Sequence, residues 1–372
     1  MGICRRCGRR SILVSDAVGF CADCIREHPE DVLSSIAERR GELRRQFGLP
    51  PTPPKAENGV ACHLCANRCV IPEGGVGFCG GYENRGGRLR PKTGSSGIAA
   101  VSFYHDALPT NCVADWVCPG GTGAGYPRFA YRNGPEFGYK NLAVFYQRCN
   151  FDCLFCQNWH FRDEGTHRYY GVEEVAAAVD ERTACICFFG GDPTPTLAHS
   201  LAVAQAALEK RPHILRICWE TNGAMNRNAL KKALRVALET GGCVKFDLKF
   251  HSDSLNQALC GASNRQTLAN FRFAVEFARR SGRSEPPLVV ASTLLVPGYT
   301  DTAELQALAA FIAECDPQTP WALLAFHPDF VMRDLPTTSR NHAETAVQIA
   351  RRFGISRVRV GNLHLLGDTY RI

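Results

Sequence analysis

The sequence of 372 residues predicts an α/β protein in which cysteine-rich modules precede a parallel sheet. Two observations lead to this fold class. After residue 140, short runs rich in β-branched and aromatic residues alternate with segments whose apolar residues recur at helical spacing. Before that point the cysteines form spaced groups, and thirteen of the 19 lie within residues 1–156. A hydrophobic content of 45% with 21% charged residues excludes a disordered or fibrous chain.

Six β-rich runs and the helical segments between them define the predicted sheet. Successive βα units favour parallel strands with helices outside, either as an open sheet or as a curved partial barrel. The predicted strands are 142–147, 184–189, 213–219, 243–248, 288–296 and 321–326. The helical spacing is carried by Val172, Val175, Ala176 and Val179, by Leu230, Leu234, Ala237 and Leu238, and by Leu305, Leu308, Ala309 and Ile312.

Polar residues follow each predicted strand directly. Because the active sites of parallel α/β folds form at the carboxyl ends of the strands, these residues are candidates for one shared site. They are the cysteine group at 149–156, Gly190-Gly191-Asp192-Pro193, Glu220-Thr221-Asn222-Gly223, Asp247-Leu248-Lys249, Pro297-Gly298-Tyr299 and His327-Pro328-Asp329.

The N-terminal cysteines are spaced as in a zinc ribbon. Cys4-x2-Cys7 and Cys21-x2-Cys24 are two knuckles whose thiolates can converge tetrahedrally on one Zn²⁺. Residues 30–47 predict a polar helix, in which Arg39, Arg40, Arg44 and Arg45 alternate with acidic residues. We interpret these arginines as a solvated face rather than a nucleic-acid surface. A stiff, proline-rich linker follows at 51–60.

A second cysteine group occupies the segment that we assign as a cysteine-rich extension, residues 61–140. Its Cys62, Cys65, Cys69 and Cys79 are interleaved with glycines and predict a second metal or iron–sulfur cluster, with zinc and iron both open. In the same segment Cys112 and Cys118, in a glycine-rich loop, are weak ligand candidates. We interpret the six downstream cysteines as apolar core residues: Cys185, Cys187, Cys218, Cys243, Cys260 and Cys315.

The third cysteine group begins the predicted core, residues 141–372. Cys149-x3-Cys153-x2-Cys156 supplies three thiolates, enough for three irons of a [4Fe–4S] cluster, so that one iron stays open to a small molecule. The alternative is a structural zinc site completed by His160 or His167. The strand before this group and the α/β pattern after it favour a cofactor loop.

Composition also sets expectations about location and partners. The start of the sequence has no apolar signal segment and no run approaches the length needed to span a bilayer, so we expect a cytoplasmic protein with reduced thiols. The formal net charge of +7 counts every cysteine as neutral. Metal-bound thiolates are anionic, so this charge is weak evidence for a nucleic-acid partner, and we expect none.

The cysteine motif and the residues at the strand ends resemble the radical S-adenosylmethionine (SAM) superfamily. Within it, GGDP at 190–193, ETNG at 220–223, VKFDLKF at 244–250 and LCGASNRQTLANFRF at 259–273 are similar to motifs of pyruvate formate-lyase activating enzymes. The Cys62–Cys79 segment with ENRGGRL, AFHPDFVMRDLPTT at 325–338 and GISRVRVGN at 354–362 resemble the AmmeMemoRadiSam radical SAM enzymes. The resemblance covers about residues 60–372.

This resemblance implies a (β/α)6 partial barrel that uses a [4Fe–4S] cluster to cleave SAM reductively to a 5′-deoxyadenosyl radical. It places the cluster on Cys149, Cys153 and Cys156. Around SAM it implies Phe155 near the adenine, and Gly190, Gly191 and Asp192 at the ammonium. By the same resemblance, Glu220, Thr221 and Asp247 hold a monovalent cation, Asn222 belongs to the cofactor site, and Lys249 and His327 are the catalytic polar contacts.

The substrate is less defined than the cofactor. The resemblance implies hydrogen abstraction from a protein or peptide, with flavodoxin or ferredoxin as reductant. Asp192 stands where Glu is usual and Glu220 where Asp is usual, and QNWHFRD follows Cys156 in place of Asn-Pro-Glu. A small metabolite is therefore the alternative substrate, and a nucleic-acid-binding zinc ribbon with a catalytically silent barrel is the alternative class.

Overall fold

The computed structural model describes residues 1–92, 95–210 and 214–372. The first 50 residues form an N-terminal module. A small hairpin, β1 (Gly2–Ile3) and β2 (Arg10–Ser11), is followed by helices α1 (Ala22–Glu27) and α2 (Pro29–Gln46). Helix α2 confirms the helix predicted at 30–47, and a proline in its first turn suits a position where no backbone donor is needed.

Two short antiparallel ribbons follow the proline-rich segment. Strands β3 (Val60–Ala61) and β4 (Val70–Ile71) pair with each other, as do β5 (Tyr82–Asn84) and β6 (Leu89–Pro91). Cys62, Cys69, Ile71 and Phe78 form their small apolar core. Because this core contains only four buried residues, the stability of the segment depends on its contacts with the rest of the chain.

The rest of the chain builds one nine-stranded sheet with helices between its strands. The strands are β7 (Ile98–Ala107), β8 (Lys140–Tyr146), β9 (Tyr169–Gly171), β10 (Thr183–Gly190), β11 (Arg216–Thr221), β12 (Val244–Asp247), β13 (Val289–Leu295), β14 (Trp321–Ala325) and β15 (Val358–Gly361). The helices are α3 (Pro119–Thr122), α4 (Val172–Ala177), α5 (Leu197–Glu209), α6 (Arg227–Thr240), α7 (Asp253–Cys260), α8 (Arg265–Ser281), α9 (Thr302–Cys315) and α10 (Arg340–Arg352).

Each of the six predicted strands is present, and the strand order is β15-β14-β13-β12-β11-β10-β8-β7-β9. Strands β8 and β10 to β15 are parallel to one another, whereas β7 is antiparallel to β8 and β9 is antiparallel to β7. In the described part of the chain the two edge strands, β15 and β9, do not pair with each other, so the sheet is open. The first residue of the predicted strand 213–219 lies outside the described residues.

The sheet includes more strands than the sequence predicted. Strand β7 lies within the segment assigned to the cysteine-rich extension, yet it pairs along its length with β8. Strand β15 adds a seventh parallel strand beside β14. The sheet therefore starts about forty residues before the predicted core boundary at 141.

The helices bury their predicted apolar faces on the sheet. In α6, Leu230, Leu234 and Ala237 are fully buried. Asn226 caps this helix by accepting a hydrogen bond from the backbone N–H of Asn228 at 2.8 Å, and Gly241 ends it in a left-handed conformation. Helix α7 is bounded in the same way, with Ser252 accepting from the N–H of Leu255 and Gly261 in a left-handed conformation.

The N-terminal module packs against those strand ends. The hydroxyl of Tyr299, just after β13, donates to the carbonyl of Phe20 and accepts from the N–H of Ser15, both at 3.1 Å. At Gly298 a Cβ would lie 2.0 Å from the carbonyl oxygen of Leu13, so only glycine permits this approach. The module therefore lies against the same edge of the sheet as the candidate site.

Candidate active site

The carboxyl ends of the parallel strands surround a cavity of about 170 Å³. All the residues that the sequence predicted around the cluster and SAM line it, with the exception of His327. They are Cys149, Cys153, Cys156, Phe155, Gly190, Gly191, Asp192, Glu220, Thr221, Asn222, Asp247 and Lys249. Sequence reasoning missed other lining residues, among them Phe151, Gln157, Asn158, Arg162 and Ser292. These carry no motif of their own and are recognisable only once the loop is folded.

The three thiols lie in a tight loop after β8. The sulfur of Cys149 accepts a hydrogen bond from the backbone N–H of Phe151 at 3.3 Å. Burial and the nearby charge of Asp192 raise the pKa of Cys149 well above its ordinary value. A hydrogen bond from Cys260, a buried residue behind the loop, lowers the pKa of Cys153. Among the described residues no fourth cysteine and no histidine lines this cavity.

Asp152, between two of the cysteines, is held by three arginines. Its carboxylate is 1% exposed and lies 3.1 Å from Nη1 of Arg44, 3.0 Å from Nη2 of Arg162 and 3.6 Å from Nη1 of Arg40. Burial would raise the pKa of Asp152, but the three guanidinium charges outweigh it and hold that pKa below the usual range. The cysteine loop is thus braced from helix α2.

This bracing corrects the interpretation of helix α2 as a solvated face. Arg40 and Arg44 are buried, with exposed fractions of 5% and 2%. Besides Asp152, Arg40 donates to the carbonyl of Ala258, and Arg44 donates to the carbonyl of Phe78. The prediction of a solvated face holds only for the exposed positions of the helix, such as Arg45.

The glycines at the end of β10 are required by close backbone contacts. Gly190 has φ +126°, and a Cβ there would lie 2.5 Å from the backbone nitrogen of Tyr146. A Cβ on Gly191 would lie 2.3 Å from the carbonyl oxygen of Arg148. Both positions let the chain pass directly beside the cysteine loop, so backbone groups line the cavity there.

The carboxylate of Asp192 is occupied by hydrogen bonds within the protein. Its Oδ2 accepts from the N–H of Asn222 at 2.7 Å and from the hydroxyl of Thr221 at 2.9 Å, and its Oδ1 accepts from the N–H of Thr194 at 2.8 Å. Burial raises the pKa of Asp192 above its ordinary value, although these hydrogen bonds act to lower it. Asp192 therefore ties the end of β10 to the end of β11, and its expected direct contact with a ligand ammonium stays a prediction.

The two other acidic residues of the cavity each have a lysine partner. Glu220 lies 3.2 Å from Nζ of Lys245, and Asp247 forms an ion pair with Lys249. The Lys249 ammonium lies 5.7 Å from the centre of the Phe155 ring. Burial would lower the pKa of Lys249, but Asp247 and Cys153 raise it well above its ordinary value, so the ammonium stays charged.

The structure does not bring His327 into the cavity. Strand β14 ends at Ala325, Phe326 is buried, and the His327 side chain is exposed. The backbone N–H of Phe326 donates to the hydroxyl of Thr338 at 2.7 Å, so the residue before His327 is held by the buried Thr338. His327 was predicted to line the site because it follows a strand. Successive side chains of an extended chain point to opposite sides, so the burial of Phe326 leaves His327 on the exposed side.

The four cysteines of the N-terminal module come together. The sulfurs of Cys4, Cys7, Cys21 and Cys24 lie within 4.8 Å of one another. Gly8 and Gly19 adopt positive φ, which lets each knuckle turn back sharply. Four converging thiols are a donor set that suits a single tetrahedral metal ion.

The second cysteine group is more widely spaced. Among the described residues, no three sulfurs of Cys62, Cys65, Cys69 and Cys79 are as close together as those of the N-terminal module. The backbone N–H of Phe78 donates to Cys69, and that of Gly81 to Cys79, both at 3.4 Å. The segment that carries this group contacts the cysteine loop through Asn67, whose amide donates to the carbonyl of Asn150 at 2.7 Å.

The described helices include none with the length and apolar character that a bilayer crossing needs.

Comparison with known proteins agrees with this geometry. Residues 143–312 match the family model of the Radical SAM superfamily. These residues contain the cysteine loop and strands β10 to β13, whose ends line the cavity. The chain therefore contains a radical SAM domain.

Individual relatives point to the branch of the superfamily. The uncharacterized protein MJ0808 of Methanocaldococcus jannaschii is 27% identical over 82% of this chain and 82% of its own length. Pyruvate formate-lyase 1-activating enzyme of Escherichia coli is 26% identical over 43% of this chain and 63% of that enzyme. The chain is thus homologous to pyruvate formate-lyase activating enzymes over part of its length.

Two solved structures are similar to parts of this chain. A domain of pyruvate-formate lyase-activating enzyme from Bacteroides vulgatus matches 47% of this chain and 98% of that chain, with 19% identity and a TM-score of 0.37. SuiB of Streptococcus suis bound to S-adenosylmethionine matches 58% of this chain and 49% of that chain, with 14% identity and a TM-score of 0.44.

Proposed function

We propose that this chain is a radical SAM enzyme of the activating-enzyme type, which abstracts hydrogen from a protein or peptide substrate. The observation that carries the proposal is the single cavity in which the three thiols of Cys149, Cys153 and Cys156 meet the polar ends of neighbouring strands. In the described residues that cavity offers three soft ligands and no fourth, a donor set that fits a [4Fe–4S] cluster with one open iron. When bound, the cluster supplies the electron that cleaves SAM to a 5′-deoxyadenosyl radical.

The residues around the thiols bind and orient SAM. The backbone of Gly190 and Gly191 offers acceptors to the SAM ammonium, because no side chain intervenes. Phe155 contributes an apolar surface for the adenine. Asp192 acts as a positioning residue, since its carboxylate holds Thr221 and Asn222 in place at the wall of the cavity.

Charge in the cavity is balanced by lysines. Glu220 and Asp247 carry the negative charge that would hold a monovalent cation with Thr221, and each is already paired with a lysine. In the proposed enzyme, Lys249 offers its ammonium to a carboxylate of SAM or substrate while Asp247 keeps it charged. The exposed position of His327 gives it, at most, a contact with a bound macromolecule.

A protein or peptide substrate is supported by the partial homology to pyruvate formate-lyase activating enzymes and by the modules packed beside the cavity. A flavodoxin or ferredoxin is the matching reductant. We assign Zn²⁺ to Cys4, Cys7, Cys21 and Cys24, and a second metal or cluster to Cys62, Cys65, Cys69 and Cys79. A cytoplasmic location remains a prediction from the many free thiols.

The cleavage reaction is tested with the full chain. The protein is reconstituted anaerobically with iron and sulfide, then given SAM and dithionite, and 5′-deoxyadenosine is measured. We expect product from the wild type and none from Cys153→Ala. Cys315→Ala, at the end of α9, is the matched control and keeps wild-type activity. Equal product from Cys153→Ala and the wild type contradicts the enzymatic proposal.

The substrate class is tested by the fate of the radical. In deuterated buffer, hydrogen abstraction from a candidate peptide is followed by mass spectrometry of the peptide and of 5′-deoxyadenosine. A peptide that accelerates 5′-deoxyadenosine formation and changes mass supports the activating-enzyme type. Acceleration only by low-molecular-weight extract, after removal of protein, favours the metabolite alternative.

A further inference from the structure

A second cavity, of about 140 Å³, lies against the sheet next to the candidate active site. The two cavities share Phe189 and Glu220 as lining residues. Its walls contain six cysteines that no predicted motif accounts for: Cys112, Cys118, Cys185, Cys187, Cys218 and Cys243. Four of them, Cys185, Cys187, Cys218 and Cys243, were interpreted as apolar core residues. Cys243 does belong to a small apolar cluster against which Cys218 packs, and all four also line this one cavity.

Strand register explains how these distant cysteines meet. Cys187 of β10 is directly opposite Cys218 of β11. Trp219 is opposite Val244, so Cys218 lies beside Cys243, which directly precedes β12. The Cys243 thiol donates to the sulfur of Cys218 at 3.9 Å. Three thiols therefore form a row across three neighbouring strands, on one face of the sheet.

A buried lysine lies among these thiols. Nζ of Lys245 donates to the sulfur of Cys187 at 3.0 Å and to that of Cys112 at 3.1 Å, and it lies 3.2 Å from Glu220. The cavity thus pairs a fixed positive charge with thiols that become thiolates when they bind metal.

The remaining two cysteines are engaged differently. The thiol of Cys185 donates to Oδ1 of Asn141 at 3.3 Å, and that of Cys118 donates to the carbonyl of Asp115 at 3.8 Å. Both are therefore protonated donors to protein oxygens. The four thiols that face Lys245 or one another are Cys112, Cys187, Cys218 and Cys243.

We propose that Cys112, Cys187, Cys218 and Cys243 bind an iron–sulfur cluster in this cavity. Four thiolates are the usual ligand set of such clusters, and N–H···S hydrogen bonds of the kind that Lys245 makes tune them. The ammonium offsets part of the negative charge of the thiolates. The site is separate from the Cys149–Cys156 loop, and the proposal does not depend on SAM cleavage.

The spacing of the sulfurs favours a cluster over a single metal ion. Zinc–sulfur bonds of about 2.3 Å put tetrahedral ligand sulfurs about 3.8 Å apart. The N-terminal module has such a close set, whereas among the described residues no three of the cavity sulfurs lie within 4.8 Å of one another. In a [2Fe–2S] cluster each iron binds two of the four thiolates, so Cys218 and Cys243, whose sulfurs are 3.9 Å apart, can share one iron while Cys112 and Cys187 bind the other.

The experiment removes the Cys149–Cys156 cluster site, and the cavity site is then measured as the difference in iron and sulfide between two further variants. The full chain with Cys149→Ala, Cys153→Ala and Cys156→Ala is reconstituted anaerobically with ⁵⁷Fe²⁺ and sulfide and desalted. Bound iron, sulfide and zinc are measured, with Mössbauer spectroscopy for the cluster. Into this background we introduce either the pair Cys218→Ala and Cys243→Ala or the matched pair Cys118→Ala and Cys185→Ala. The melting temperature confirms that both variants fold.

We expect the first pair to lose one cluster's iron and sulfide relative to the background, and the matched pair to keep them. Equal iron and sulfide in the two pairs, or zinc bound in this cavity without sulfide, overturns the proposal. If the first pair does not fold, Cys112→Ala replaces it, since Cys112 lies in a loop outside the strands. Because this background lacks the proposed SAM cluster, the result is independent of the 5′-deoxyadenosine assay.

Discussion

Nη1 of Arg44 lies 3.1 Å from Oδ1 of Asp152, so a helix of the N-terminal module reaches the residue directly before Cys153. Both side chains are almost completely buried. Burial lowers the pKa of Arg44 to about 10, while Asp152 opposes that shift. A buried pair of this kind costs more to break than to keep, because the remaining charge has no water around it.

Removing this contact tests whether the module supports the cysteine loop. We expect Arg44→Ala to lower the free energy of unfolding by about 3 kcal/mol, since a buried carboxylate loses one partner. The exposed neighbour Arg45→Ala is the control, with a change below about 0.5 kcal/mol. Urea unfolding measures both. Equal effects of the two substitutions contradict the bracing role.

Asp192 is expected to act through Thr221 and Asn222. In the wild type, the hydroxyl of Thr221 and the N–H of Asn222 donate to the carboxylate of Asp192. Asp192→Asn replaces one carboxylate oxygen by an NH₂ group, which cannot accept these hydrogen bonds, and the loss costs about 1–3 kcal/mol. We predict weaker SAM binding, measured by calorimetry on the reconstituted protein. Asp368→Asn, whose side chain is 77% exposed, serves as control. If SAM affinity is unchanged in Asp192→Asn, the carboxylate does not position the site.

Gly191 is expected to tolerate no side chain. Gly191→Ala puts a Cβ 2.3 Å from the carbonyl oxygen of Arg148, so the end of β10 must move away from the cysteine loop. Such overpacking costs about 1–3 kcal/mol. We predict a lower melting temperature and less iron retained after reconstitution. Gly97→Ala, whose nearest contact would be 3.8 Å away, leaves both unchanged; a similar loss there would mean that the effect is not local.

The N-terminal cysteines are expected to hold one Zn²⁺ per chain. Metal analysis of the full chain, purified without added iron, measures this directly. Cys4→Ser with Cys24→Ser removes two of the four converging thiols and should lower bound zinc by one equivalent. Cys315→Ser leaves zinc unchanged. Zinc that survives the double substitution belongs to another site.

The stability of the fold is expected to fall in mild acid because of His342. Nε2 of its ring donates a hydrogen bond to the carbonyl of Thr300, and Nδ1 accepts one from the hydroxyl of Tyr370, both at 2.7 Å. Burial lowers the pKa of His342 to about 4. Between that pKa and the unfolded value near 6.5 the unfolded chain binds the extra proton. Stability is therefore complete above about pH 6.5 and declines towards pH 4, by up to about 3 kcal/mol.

The check is urea unfolding at several pH values. His342→Gln should be less stable at pH 7 and should have a smaller slope between pH 6.5 and 4, with the remainder coming from groups such as His199, whose pKa burial also lowers to about 4. His364→Gln, in the C-terminal segment and exposed, should keep that slope. An identical slope in the wild type and His342→Gln would assign the pH dependence to other groups.

The sequence predicted those parts of the molecule that are encoded locally. Turn glycines, apolar periodicity and β-rich runs were sufficient for the six central strands and for the residues that follow them. Because parallel strands end at one edge, the positions of Asp192, Thr221 and Asp247 in one cavity followed from their order alone. Strand β7 was missed because its partner, β8, lies beyond a loop of more than thirty residues with no periodic signal.

The rest depends on contacts that only the folded chain creates. Arg40 and Arg44 have the composition of a solvated helix, and their burial is determined by Asp152, more than a hundred residues away. The row formed by Cys187, Cys218 and Cys243 depends on strand register, to which single cysteines in apolar runs give no clue. The spacing of Cys185 and Cys187, two residues apart in one strand, was the one available signal.

The Arg44–Asp152 contact couples the docking of the first 50 residues to the conformation of the cysteine loop, and this coupling acts equally in both directions. Any ligand that binds the loop in this conformation also stabilises the docked module, and by linkage the module raises the affinity for that ligand by the same factor. A deletion of the N-terminal module therefore alters the ligand affinity of a site to which it contributes no ligand. Cofactor content measured on a truncated chain would understate that of the intact protein.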